Sequence, residues 1–277
     1  MNKAMQLKAR IKNLATARNI PAQAVLQNYM LERLLERISV SRYKDKFILK
    51  GGLLIASLVG IQSRTTMDMD TTVMGFPLSE GKLESTLTEI CAIPLDDDVT
   101  FTLNGIAPIR DDDEYGGFRA ALSAIYETIN TPLKIDITTG DVITPRAVRY
   151  TFHSSFDNKV IEVWAYNVET ILAEKVETIL RRSVLNTRPR DFYDVYLLSR
   201  TQGAVIDIEM FHNALRATSG KRMSLPQLEK RSTILEAILN DATMRQRWER
   251  YARDNYYARE ITFEDVMASV RNLLLSF

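Results

Sequence analysis

Asp68 and Asp70, set two apart in TTMDMDTTV, are the residues whose type and spacing point most directly to chemistry. Thr66, Asp68 and Asp70 alternate with Met67 and Met69, and that period of two predicts a strand. On a strand, side chains at i and i+2 share a face, with Cβ atoms roughly 6–7 Å apart. Two carboxylates held that way in a half-buried sheet repel, and each raises the other's pKa. A divalent cation between them reverses the balance, because hard oxygen ligands suit Mg²⁺. Asp136, in the alternating stretch LKIDIT between Ile135 and Ile137, offers a third carboxylate. Three carboxylates on adjacent strands can hold two metal ions for phosphoryl or nucleotidyl transfer. Most D-x-D pairs are solvated turns; the methionines on the opposite face set this one apart.

The glycine pair Gly51-Gly52, in FILKGGLLIASLVG, opens a helix starting near Leu53. Exposed N–H groups and a positive helix end there can receive a triphosphate. Taken alone, the pair is equally a tight turn with no ligand.

The elements that must position these residues follow from periodicity. Helices are expected over 3–18, 22–38 and about Ser79–Cys91, and strands over Val99–Leu103, Phe118–Tyr126 and Leu133–Thr138. In the second helix Val25, Leu26, Tyr29, Met30, Leu34 and Ile38 make the apolar face, while Glu32, Arg33, Glu36 and Arg37 fall elsewhere. The acid cluster Asp111, Asp112, Asp113 and Glu114 belongs in a loop between strands. From Val168 the pattern turns helical, over 168–183, 190–200, 207–218, 226–240, 242–255 and 262–276. The fold expected is α+β over residues 1–165, then a helical domain over 166–277.

Composition removes several alternatives. A single cysteine, Cys91, excludes a disulfide framework and a Cys-based zinc site. Only His153 and His212 are present, which excludes a multi-histidine metal centre. No apolar run reaches the roughly 18–20 residues of a membrane span, and the basic start lacks the apolar core of a signal peptide, so a cytoplasmic protein is expected. The net charge of +1 hides an asymmetry. Residues 1–50 carry 11 basic and 3 acidic side chains, whereas residues 51–150 carry 7 basic and 15 acidic.

LKGG (Leu49–Gly52) followed by RTTMDMD (Arg64–Asp70) resembles the nucleotidyltransferase fold of the DNA polymerase β superfamily, which implies a mixed sheet with flanking helices over residues 1–165. ETILAEKVETIL (Glu169–Leu180) and NTRPRDFYDVYLL (Asn186–Leu198) narrow the resemblance to the AbiEii/AbiGii toxin family of bacterial abortive-infection toxin–antitoxin pairs. The resemblance implies that Gly51 and Gly52 cradle the phosphates and that Asp68, Asp70 and Asp136 hold metal. It implies that Lys175 reaches the triphosphate, that Arg190 and Asp191 match the family's R-x-K-D box, and that Asp194 supports them. Periodicity alone would read Lys175 as a surface lysine. In two places the sequence departs from the family pattern: Leu53 stands where a Ser or Thr usually follows the glycines, and Arg190 replaces a lysine.

The function implied is a metal-dependent nucleotidyltransferase toxin using two Mg²⁺ ions and an NTP. Its acceptor would be RNA, with tRNA the usual target, and the result inhibition of translation and growth in phage defence. A cognate antitoxin encoded alongside is implied as well. The basic residues Lys3, Lys8, Arg10, Lys12, Arg18, Arg42, Lys44, Lys46 and Lys50 suit a phosphate backbone, or form an ordinary solvated surface. Two other readings compete: nucleotide transfer to a small molecule such as an antibiotic, and a GTP-binding interaction module without turnover.

Overall fold

In the computed structural model, which describes residues 2–75, 77–109, 116–275 and 277, the chain packs as two units. One comprises residues 1–140 with 148–165, the other residues 141–147 with 166–277. The acid cluster Asp111–Glu114 lies outside the described residues.

The first unit runs α1 (Lys3–Arg18), α2 (Ala22–Val40), β1 (Phe47–Lys50), α3 (Gly51–Val59), β2 (Asp68–Val73), α4 (Glu80–Cys91), β3 (Val99–Pro108), β4 (Gly117–Tyr126), β5 (Ile129–Thr139), β6 (Val148–His153) and β7 (Val160–Ala165). The strands form one mixed sheet in the order β3-β4-β5-β2-β1-β7-β6. The β2–β5 and β1–β7 ladders are parallel and the others antiparallel. The expected mixed sheet with flanking helices is therefore present. On β5, Thr131, Leu133, Ile135 and Ile137 are buried while Lys134 is exposed and Asp136 half-buried, so one face packs and the other carries polar groups.

Two expectations need correction. The strands expected from the sequence do not include β6 and β7. On β7, Ile161, Val163 and Ala165 turn inward, but Val160 and Trp164 put apolar side chains on the outer face too. The polar residues of α2 are not a solvated face: Glu32, Arg33 and Arg37 are almost fully buried. Arg37 pairs bidentately with Asp97 at 2.7 and 2.9 Å and donates to Val99 O. Arg33 reaches Glu36 and Asp157, each at 3.2 Å. Glu32 accepts from Asn28, Ser154 and the Ser155 N–H. Buried charges require such partners, and here they tie the helix to two distant loops.

The second unit contains α5 (Val168–Arg182), α6 (Pro189–Thr201), α7 (Ile208–Lys221), α8 (Leu225–Glu229), α9 (Arg231–Asn240), α10 (Ala242–Asp254) and α11 (Phe263–Leu274). The single helix expected over 226–240 is broken at Lys230 into α8 and α9. Local chemistry sets the starts. Asn167 caps α5 by accepting from Thr170 N, Pro189 occupies the first turn of α6, and Thr262 and Asp265 form a capping box on α11. Ile171, Leu172, Val176, Ile179 and Leu180 of α5 are buried, as its periodicity requires. Trp248 is core, donating to Ile261 O, and Tyr257 packs on the buried Tyr193 ring at 4.9 Å. Among the described residues no helix is long and apolar enough to cross a membrane.

Candidate active site

Gly51 and Gly52 are required by close packing against the D-x-D strand. Gly51 has φ +65, a left-handed backbone that favours glycine, and a Cβ added there would lie 2.1 Å from Asp70 Oδ2. A Cβ on Gly52 would lie 2.6 Å from Thr66 Oγ1. The Gly52 N–H donates to Asp70 Oδ2 at 3.2 Å, so one amide expected to face phosphate is here directed at a carboxylate. Leu53 is fully buried. The residue after the glycines is thus a core residue in this chain, which accounts for an apolar side chain in place of a hydroxyl.

Strand register brings the carboxylates onto one face. Asp70 is the direct neighbour of Asp136 across the β2–β5 ladder, of Lys50 across β1–β2, and Asp136 in turn faces Arg119 across β4–β5. The result is a lateral row, Arg119–Asp136–Asp70–Lys50, with Asp68 opposite Lys134 one step along the same face. Behind it Met69 is fully buried, but Met67 is 44% exposed, so the apolar back consists of Met69 without Met67. Asp68 is pushed above the usual carboxylate range, first by burial and then by the charges of Asp70 and Asp136; Lys134 and Arg119 oppose the shift.

Asp136 is committed elsewhere. Arg119 Nε and one terminal nitrogen donate to its two oxygens, both at 2.7 Å. Among the described residues no three His, Cys, Asp or Glu side chains converge as a metal cage. The donor chemistry still fits a hard dication: three carboxylates on neighbouring strands, one of them already neutralised by a cation of this chain. Arg119 was not singled out in the sequence, and Lys50 was considered only as part of a basic surface. For Arg119 the usable signal was the alternation of Gly117–Tyr126, which places it on the polar face.

A second cluster lies within the helical unit. Lys175 Nζ stands 2.6 Å from Asp191 Oδ1 and 3.1 Å from Asp194 Oδ2. Lys175 is 16% exposed and both aspartates are buried, so it is not the surface lysine that periodicity suggests. Burial lowers its pKa, but Asp191 and Asp194 outweigh this and hold it above the ordinary lysine value. Arg188 Nε reaches Asp191 Oδ2 at 3.0 Å, an i,i+3 pair at the start of α6. Arg190 is exposed on that same first turn. The structure thus gathers Lys175, Asp191 and Asp194 in one unit, and Gly51, Gly52, Asp68, Asp70 and Asp136 in the other.

Neither histidine takes part in these clusters. His212 is buried with Nε2 3.2 Å from Leu273 O, and His153 is exposed on β6. Of the basic residues near the start, Lys8, Lys12, Lys44 and Lys46 are exposed. Lys3 pairs with Asp98, Arg10 stacks over Phe156, and Arg42 pairs with Glu89.

Residues 33–269 match the profile of the family described as nucleotidyl transferase AbiEii toxin, type IV toxin–antitoxin system. No curated protein matches the sequence. Among solved structures, MenT4, a nucleotidyltransferase toxin from Mycobacterium tuberculosis, superposes with a TM-score of 0.56 at 14% identity, covering 97% of this chain and 98% of that one. A protein of H. pylori assigned as a nucleotidyltransferase gives 0.53 at 14% identity, with 93% and 95% covered. JHP933 from Helicobacter pylori gives 0.51 at 15%, with 92% and 91% covered. At these identities the likeness is one of fold.

Proposed function

The chain belongs to the AbiEii nucleotidyl transferase toxin family of type IV toxin–antitoxin systems, and on that premise we propose that it transfers a nucleotide from an NTP to an RNA acceptor, with tRNA as the substrate class, and so inhibits translation and growth. Membership makes it a nucleotidyltransferase toxin and implies a cognate antitoxin. The observation that carries the finer reading is the face on which Asp68, Asp70 and Asp136 sit in neighbouring registers beside the Gly51-Gly52 turn.

In the reaction an acceptor hydroxyl oxygen bonds to the α-phosphorus, the bond to the β-phosphate oxygen breaks, and pyrophosphate leaves with its electron pair. The hydroxyl proton passes to solvent. Asp68, Asp70 and, once released from Arg119, Asp136 are the residues that would hold divalent metal, with two Mg²⁺ ions as the proposed complement. Bound there, such metal would supply positive charge to offset the negative charge that builds during transfer. Gly51 and Gly52 let the backbone come close to the carboxylate strand, and Asp70 fixes that turn by accepting from Gly52 N–H. Lys175 is proposed to neutralise triphosphate charge, with Asp191 and Asp194 keeping it protonated and in place. Arg190, exposed on its turn, is proposed as a further phosphate ligand. The exposed Lys8, Lys12, Lys44 and Lys46 suit contact with an RNA backbone.

A second reading, nucleotide binding without turnover, draws on the Arg119–Asp136 pair, which occupies both oxygens of the third carboxylate. Incubation of the protein with Mg²⁺, each labelled NTP and either total tRNA or an aminoglycoside separates the readings. Label on tRNA supports the proposal, label on the aminoglycoside supports a small-molecule transferase, and bound nucleotide without product supports the module.

A further inference from the structure

The three carboxylates of the sheet face are matched by three cations of the same face. Lys50 lies opposite Asp70, Arg119 opposite Asp136, and Lys134 opposite Asp68. The formal charge of the six is zero, so a bare dication entering this face meets cations as well as carboxylates. It also meets a competitor. Arg119 holds Asp136 side-on through two charge-assisted hydrogen bonds of 2.7 Å, the strongest form of carboxylate recognition available to a side chain. An ion that takes Asp136 as a ligand must displace at least part of that fork.

Displacement does not disturb the core. The Arg119 side chain is 47% exposed, against 19% for Asp136, so water can hydrate the guanidinium as it leaves. Arg119 also lines a shallow groove of about 560 Å³ with Asn104, Ile106, Pro108 and Ala121, so it has room to swing. A guanidinium released from a carboxylate can pair in the same two-pronged way with two oxygens of a phosphate.

We propose that Arg119 is an exchangeable counter-ion that makes metal and nucleotide binding interdependent: without nucleotide it occupies both oxygens of Asp136, and with nucleotide it transfers to a phosphate and releases Asp136. Arg119 is thereby a positioning residue, acting on the metal through Asp136. The inference rests on the reading of Asp68, Asp70 and Asp136 as metal ligands.

The test is Mn²⁺ binding by the full chain, followed by paramagnetic resonance of the free ion. It compares the unsubstituted protein with Arg119→Met, Arg119→Lys and Lys134→Met, each with and without Asp70→Asn, after circular dichroism shows each variant folded. With no nucleotide, Arg119→Met should bind Mn²⁺ about tenfold more tightly, the loss of one charged hydrogen-bonding competitor. Arg119→Lys, which keeps the charge without the fork, should fall between. Lys134→Met should stay within about threefold of the unsubstituted protein, since it removes a charge without a hydrogen-bonded competitor. Inorganic triphosphate, added to Mn²⁺-saturated protein, should bind Arg119→Met about tenfold more weakly.

Three results overturn the inference. If Arg119→Met binds Mn²⁺ no more tightly while Asp70→Asn still abolishes binding, exchange is wrong and the metal site stands. If Lys134→Met tightens binding equally, the effect is general charge and not competition. If no variant binds Mn²⁺ in an Asp70-dependent way, the reading of the carboxylates as metal ligands falls, and the inference with it.

Discussion

Lys175 and Asp191, sixteen positions apart on α5 and α6, meet at 2.6 Å in the buried part of the helical unit, with Asp194 at 3.1 Å from the same nitrogen. One lysine thus joins two helices through two carboxylates, and any functional role it has is superimposed on a structural one. Lys175→Met takes one cation away from two buried carboxylates, Asp191 and Asp194. Removing one partner of a buried pair costs about 3–5 kcal/mol, so this variant should unfold at distinctly lower urea. Lys175→Arg should recover most of that stability. If it also recovers triphosphate binding, charge alone is required; if it folds but does not bind, the lysine geometry matters to the ligand.

The Arg37–Asp97 pair makes a purely structural comparison. Both side chains are 2% exposed, and Arg37 spends two further donor contacts on Val99 O and Arg33 O. Asp97→Ala should cost about 3–5 kcal/mol in thermal or urea unfolding, because the guanidinium is left buried without its anion. A loss below about 1 kcal/mol would mean that water reaches Arg37.

Gly51→Ala and Gly81→Ala should behave oppositely. At position 51 the methyl group collides with the Asp70 carboxylate and the backbone has positive φ, so a loss of about 1–3 kcal/mol is expected together with loss of transfer activity. At position 81, in the first turn of α4, nothing lies within 4 Å of an added Cβ. Alanine there should be neutral or stabilising by up to about 1 kcal/mol. Equal effects at the two positions would contradict the packing of the turn on β2.

Burial pushes the Glu32 carboxyl above its ordinary value of 4.5, with Ser154, Ser155 and Arg33 pulling the other way. The folded protein therefore binds this proton more tightly than the unfolded chain does. As pH rises from about 4.5 towards the folded value, the unfolded state ionises first and the stability linked to Glu32 declines. Urea unfolding of the unsubstituted protein and Glu32→Gln across that window should diverge, with the glutamate form losing ground as pH rises and levelling once it ionises in the fold. A constant difference would show that Glu32 titrates alike in both states.

What the sequence discloses here is mostly local. The extents of α1, α4 and β4 followed from periodicity and caps, because each buries one clean stripe or face. The β7 strand was hidden because Val160 and Trp164 make its outer face apolar as well. The buried charges of α2 were unreadable for another reason: Asp97, which pairs with Arg37, and Asp157, which pairs with Arg33, are 60 and 124 residues away, and periodicity carries no information about them. The same holds at the candidate site. D-x-D spacing could place Asp68 and Asp70 on one face, but the contact of Asp136 with Arg119 depends on how the β4–β5 hairpin pairs, and the direction of Gly52 N–H depends on how α3 meets β2.

The most direct measurement is transfer of labelled nucleotide to RNA by the unsubstituted protein and by Asp70→Asn, at matched folding and with Mg²⁺ present. If the sheet-face carboxylates organise the reaction, labelled tRNA should form with at least one of the four NTPs, and Asp70→Asn should reduce its rate by about a hundredfold or more. Transfer that persists undiminished in Asp70→Asn would contradict the account, as would the absence of label in RNA with every NTP from a fully folded protein.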